Sequence, residues 1–140
     1  MKLVVDASVA LKWVLGPVQS EPDLAEAAVL LKALGDGVHT AFQPVHWQTE
    51  IVAVVARKAP LRIDGTLVLL NQTPFTPVGD VTVLRRAAQL SAALSHHLFD
   101  TLYHAVALET GATLISADET YVRKARQIGQ IELLSALPSA

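Results

Sequence analysis

Leu3, Val4 and Val5 run without alternation straight into Asp6. A short continuous apolar run, rich in β-branched residues, is how a parallel strand covered on both faces reads. Ala7 and Ser8 follow, and a helical pattern begins. A carboxylate that closes a buried strand lies at the carboxyl edge of a sheet, where open α/β folds place their ligands. The first eight residues therefore predict both a fold class and the edge on which to look for chemistry.

The rest of the chain alternates accordingly. VALKWVLGP reads as a short helix stopped by Gly16 and Pro17, and SEPDLAEAAVLLKALGDG as a second, with Ser20 as its N-cap and Pro22 in its first turn. His39 to Phe42 is a strand, and Pro44 opens a long helix, PVHWQTEIVAVVARKA, that ends before Pro60. Arg62 to Gln72 is a further helix. Phe75 to Val78 is a strand that Pro77 confines to an edge. Val81 to Leu94 and His97 to Thr110 are helices, the latter closed by Gly111. Thr113 to Ile115 is a strand, Glu119 to Ile128 a helix, and Ile131 to Leu134 a last strand or coil. The order β-α-α-β-α-α-β-α-α-β-α-β predicts a three-layer α/β/α fold. Its central sheet has four to five mainly parallel strands, Rossmann-like, in one domain over residues 1–140.

Bulk properties narrow the partners. The 51% hydrophobic content asks for interior helices or an association surface. Without cysteine there are no disulfides or thiolate metal sites, as suits a reducing cytoplasm. A net charge of −2 does not announce nucleic acid, so RNA contact would need a local patch or bound cations. The apolar run before Asp6 is too brief for a signal peptide, and no stretch approaches the length of a membrane span.

Four acids recur in suggestive places. Asp6 alone reads equally as a helix cap or a ligand. Asp118, in TLISADETY, repeats the strand–turn–acid layout of Asp6. Glu50 lies within an apolar helical stretch, and no Lys or Arg stands three or four residues away to pair with it. Asp100 lies near a helix start, where it suits the positive helix end or pairs with His104 one turn on. Pooled, the four could not all stay ionised. Two carboxylates ~5 Å apart at an effective dielectric of ~20 repel by ~3 kcal/mol. Shared protons or divalent cations must compensate, and oxygen-only ligands select Mg²⁺ or Mn²⁺. Such ions lower the pKa of a bound water and bridge phosphate oxygens, which points to phosphodiester hydrolysis.

The stretches VVDASVALKW, the helix carrying Glu50, FDTLYHAVA around Asp100 and LISADETY around Asp118 stand in the order and rough spacing of a known pattern. The chain resembles a PIN domain, and most of all a VapC-type toxin of a type II toxin–antitoxin pair. That resemblance implies an endoribonuclease dependent on Mg²⁺ or Mn²⁺, a homodimer, and inhibition by a cognate VapB-type antitoxin. It makes Asp6, Glu50, Asp100 and Asp118 the catalytic, metal-binding acids and Ser8 and Ser116 supporting hydroxyls. Where many relatives carry Asn three residues after the helix Glu, this chain has Ala53.

Other residues have plainer readings. His96 and His97 are adjacent, so their side chains diverge, and no HExxH motif supports zinc. His104 reads as a surface or locally satisfied residue, and Trp13 and Trp47 as core or dimer packing. Lys12, Arg123 and Lys124 are candidate contacts to an RNA backbone. Two alternatives stand beside the nuclease. One is a non-catalytic PIN-like module that binds RNA or protein. The other is a receiver-like Mg²⁺-binding phospho-acceptor, which fits poorly because Asp6 has no adjacent acid and no Lys follows Thr113 to Ile115.

Overall fold

The computed structural model describes residues 1–19 and 21–140, with residues 17–19 described as backbone only. Five parallel strands, β1 (Lys2–Val5), β2 (Thr40–Pro44), β3 (Thr76–Val78), β4 (Thr113–Ser116) and β5 (Ile131–Leu133), form one sheet in the order β3-β2-β1-β4-β5. The chain builds outward from β1 through β2 to β3, then returns to the other side of β1 for β4 and β5. The reversal falls between β1 and β4, where doubly wound sheets open a crevice at their carboxyl ends. Seven helices connect the strands: α1 (Ala7–Gln19), α2 (Leu24–Gly35), α3 (Trp47–Lys58), α4 (Ile63–Gln72), α5 (Val81–Leu94), α6 (Leu98–Thr110) and α7 (Glu119–Ala125). The observed order matches the predicted alternation element for element.

Strand periodicity divides the core into two. Val4 and Leu114 point to one face, packing with Trp47, Ile51 and Val55 of α3, Val83, Ala87 and Leu90 of α5, and Tyr103 and Val106 of α6. Their neighbours Leu3, Val5 and Ile115 point to the other, against Ala27, Leu30 and Leu34 of α2 and Leu134. This two-sided burial explains why the strands show runs instead of alternation. Much of α6 lies in the interior: Thr101 and Tyr103 to Ala107 are all buried. Thr101 Oγ1 donates to the Ala87 carbonyl of α5 at 2.9 Å. Trp47 is buried edge-on to Phe75, and Trp13 donates from Nε1 to the Ala27 carbonyl of α2, so both act in packing.

Three predicted boundaries shift. The first helix does not stop at Gly16 and Pro17 but runs to Gln19. Near a C-terminal end a proline forfeits few helical bonds, and Gly16 serves packing instead: a Cβ there would lie 2.3 Å from Leu24 of α2. Ser20, the expected N-cap, lies outside the described residues; Asp23, with φ 58°, immediately precedes α2. Pro44 closes β2 opposite Val78 instead of opening α3, which begins at Trp47. The helix expected to end at Ile128 tightens into a 3₁₀ turn from Arg126.

Between β1 and β2 the backbone ladder covers only Lys2↔Thr40 and Leu3↔Ala41. Beyond it, the fully buried Gln43 inserts its side chain. Its Oε1 accepts from Val5 N at 2.7 Å, and its Nε2 donates to Val5 O at 2.9 Å. The amide thus takes the place of a peptide group and satisfies both backbone groups of the residue before Asp6.

Candidate active site

Asp6 is fixed by the strands on which the sheet reverses. Its backbone N–H continues the β1–β4 pairing by donating to Ile115 O at 3.0 Å. Its carbonyl accepts from Val9 and Ala10, so α1 starts on its backbone while its side chain stays free for other work. Asp6 Oδ2 accepts two hydroxyls, Ser8 Oγ at 2.5 Å and Ser116 Oγ at 3.0 Å. Each hydroxyl is in turn oriented by a backbone donor. Ala117 N donates to Ser8 Oγ at 3.1 Å, and Asp118 N to Ser116 Oγ at 3.0 Å. The two serines therefore knit the ends of β1 and β4 around a single carboxylate oxygen.

Glu50 enters from the first turn of α3. Its Oε2 accepts from the buried Tyr103 hydroxyl of α6 at 3.0 Å. His46, one helical turn earlier, brings Nε2 to 3.0 Å from the same oxygen. Neither ring nitrogen of His46 makes a hydrogen bond, so the contact is one of proximity. The ring lies between Phe99 and Tyr103, with centroids 5.4 and 5.1 Å away. Asp100, in the first turn of α6, is held from Oδ2 by His96 Nε2 at 2.9 Å. Asp118 caps α7, its Oδ1 accepting from Tyr121 N at 3.1 Å. The cap reading of Asp118 is thus physically correct and uses one of its oxygens.

Asp6, Glu50 and Asp100 lie close enough to act on one another electrostatically. The Asp6 carboxyl is pushed up from 3.8 to about 7. Burial is the main cause, the Asp100 and Glu50 charges add to it, and the Ser8 and Ser116 hydrogen bonds oppose it. Tyr103 is held far above its ordinary value by burial and then by Glu50, Asp6 and Asp100. Across the crevice, His96, Asp100 and Asp118 offer ligand atoms that all lie within 4.8 Å of one another. Among the described residues no Lys or Arg forms an ion pair with any of the four acids. The donor set is therefore rich in hard oxygen and short of positive charge, which suits a divalent cation.

Several neighbours were not foreseen. His46, His96 and Tyr103 all touch the acids, and the first two stand one helical turn before an acid, a spacing visible in the sequence. His104 does not pair with Asp100 and does not lie on the surface. It is fully buried, with Nε2 2.8 Å from Gly129 O and Nδ1 2.9 Å from Tyr121 Oη. A carbonyl can only accept, so Nε2 carries the proton and Tyr121 donates to Nδ1. Burial lowers the His104 pKa and keeps the ring neutral. Lys12 is buried too, 3.8 Å from Glu21, and offers no open charge to a backbone phosphate. Arg123 and Lys124 are exposed on α7, and Lys124 Nζ lies 3.3 Å from both Ser95 O and His96 Nδ1. Asp80 is the N-cap of α5, its Oδ1 accepting from Val83 N at 3.0 Å.

Comparison with known proteins agrees with this architecture. No curated protein matches the sequence. A chain in the crystal structure of VapBC2 from Rickettsia felis, bound to a DNA fragment from their promoter, aligns with a TM-score of 0.68 at 14% identity. The alignment covers 95% of this chain and 97% of that one. A chain of FitAB bound to an IR36 DNA fragment aligns with a TM-score of 0.66 at 16% identity, covering 97% of each. These likenesses establish a shared fold. The family model for the PIN domain matches residues 3–127, from within the first strand to within the 3₁₀ turn that precedes β5, and the chain belongs to the PIN-domain family.

Proposed function

We propose that the chain, as one domain over residues 1–140, is a Mg²⁺- or Mn²⁺-dependent endoribonuclease of the VapC type, neutralised by a cognate VapB-type antitoxin. One observation carries this reading. In each of the four acids one carboxylate oxygen is held by the protein, and among the described residues the other makes no hydrogen bond. The held atoms are Asp6 Oδ2, Glu50 Oε2, Asp100 Oδ2 and Asp118 Oδ1. These carboxylates are oriented from behind, as ligands are.

When bound, a divalent cation supplies a positive centre for phosphate oxygens and lowers the pKa of a water. The residues do the positioning. Ser8 and Ser116 fix the Asp6 carboxylate at the strand ends, and Tyr103 aims Glu50 across from α3. Water attacks phosphorus, the phosphorus–oxygen bond to the leaving nucleoside breaks, and no covalent enzyme intermediate forms. Lys124, beside His96, and the exposed Arg123 of the same helix offer charge to the RNA backbone. The two similar structures are of VapBC2 and FitAB, which supports a paired antitoxin as partner. Exposed apolar side chains at Leu61 and, on α4, at Leu67 and Val68 support a homodimer. No described helix is long and apolar enough to cross a membrane.

The test is cleavage of total RNA by purified protein with Mg²⁺, Mn²⁺ or EDTA, wild type against Asp6→Asn. Cleavage that needs the cation and vanishes in the variant supports the reading. Cleavage indifferent to both refutes it, and RNA binding with no cleavage under any condition favours the non-catalytic module.

A further inference from the structure

We propose that His96 is itself a metal ligand, so that His96, Asp100 and Asp118 form a mixed nitrogen–oxygen position that prefers Mn²⁺ to Mg²⁺. The inference rests on the nuclease reading above and adds a ligand that the acidic pattern does not contain.

Three features carry it. The first is spacing. Ligands on a six-coordinate ion with bonds of about 2.1 Å lie about 3 Å apart when adjacent and about 4 Å apart when opposite. The three ligand atoms here all fall within 4.8 Å of one another, so a small inward movement closes them on one ion. The second is preorganisation. The His96 side chain is only 10% exposed, and its ring packs against Tyr121 with centroids 4.7 Å apart. Its backbone is pinned to the end of α5, where Ser91 Oγ donates to His96 O and His96 N donates to Ser91 O across the left-handed Ser95. A simple helix-surface pair with Asp100 would require neither the burial nor the approach of Asp118. The third is orientation. Lys124 Nζ, a donor, lies 3.3 Å from Nδ1, so that edge of the ring is engaged from α7 and Nε2 faces Asp100 Oδ2.

Chemistry then sets the preference. Mg²⁺ demands oxygen ligands in a near-ideal octahedron, whereas Mn²⁺, also oxygen-seeking, is a transition ion that takes an imidazole nitrogen more readily than Mg²⁺ does, though less strongly than the later divalent ions. A neutral nitrogen also relieves the crowding of negative charge that a fully acidic site carries.

The experiment is pulsed electron paramagnetic resonance of Mn²⁺ added to the full chain, with calorimetric titration of Mn²⁺ and Mg²⁺. Wild type is expected to show ¹⁴N modulation from a directly bound imidazole, and His96→Gln to lose it. The Mn²⁺-over-Mg²⁺ affinity ratio should fall at least about tenfold in that variant, since even residues that only support ligands alter affinity by this much. Gln can still donate to Asp100, so unchanged affinities in His96→Gln would mean that His96 only positions the carboxylate, which overturns the inference. Mn²⁺ bound without ¹⁴N modulation, or modulation lost in His46→Gln instead, also overturns it and leaves the nuclease reading intact. No binding of either ion to wild type would bring down both. The wild-type spectrum needs no variant, so a misfolded mutant does not block the test.

Discussion

Replacing Asp6 by Asn should stabilise the metal-free protein at neutral and alkaline pH while abolishing cleavage. The folded-state pKa of Asp6 is about 7 against an ordinary 3.8, with burial the first cause. A raised pKa means that folding favours the protonated carboxyl. The associated stability is fully present below about pH 4 and is lost as pH rises through about 7. At pH 8 the wild type, without metal, therefore bears a cost of at most about 4 kcal/mol for carrying this charge, at 1.36 kcal/mol per unit. Asn is nearly isosteric and neutral. Its carbonyl oxygen can occupy the Oδ2 position and still accept from Ser8 and Ser116. Urea unfolding in EDTA should show Asp6→Asn more stable by roughly 2–4 kcal/mol at pH 8, the gap closing toward pH 4. Saturating Mn²⁺ should narrow or reverse the gap, because the wild type, with the Asp6 carboxylate charged, gains more by binding it than the variant does. A variant no more stable than wild type at pH 8 in EDTA, or a gap independent of pH, would refute the electrostatic account of this site.

Other outcomes follow from single contacts. Asp118→Asn keeps an acceptor for Tyr121 N, so stability should hold within about 0.5 kcal/mol while RNA cleavage is lost; Asp118→Ala should also lose about 1 kcal/mol of capping. Tyr103→Phe leaves Glu50 without its donor, and thermal melts should show a loss of about 1–3 kcal/mol, with cleavage reduced rather than abolished. Gln43→Ala strips both backbone groups of Val5 of their partner, and urea titration should show a loss of about 2–4 kcal/mol with reduced metal affinity.

The element order was legible because hydrophobic runs, prolines and glycines punctuate this chain clearly. The four acids were legible because strand ends and an unpaired helix Glu are local facts. What stayed hidden is what depends on tertiary distance. Gly16 reads locally as a stop, yet its meaning is the approach of Leu24 from another helix. His104 reads as a surface residue until Tyr121 and Gly129 close over it. His96 looked like half of a divergent pair, because adjacency in sequence says nothing about Asp118 arriving from across the sheet. Lys12 carries a charge that suggests exposure, but its place on α1 buries it beside Glu21.

Gln43 lets the sheet open beside the site without leaving a backbone group unpaired. With the ladder released after Ala41, β2 turns away to follow β3, pairing from Phe42 to Pro44 with Thr76 to Val78. The two central strands part like the legs of a fork, and a side-chain amide spans the gap that a peptide group would otherwise close. The strand carrying Asp6 and the strand leading into the helix of Glu50 are thus joined, just before the site, by one side chain in place of a peptide group.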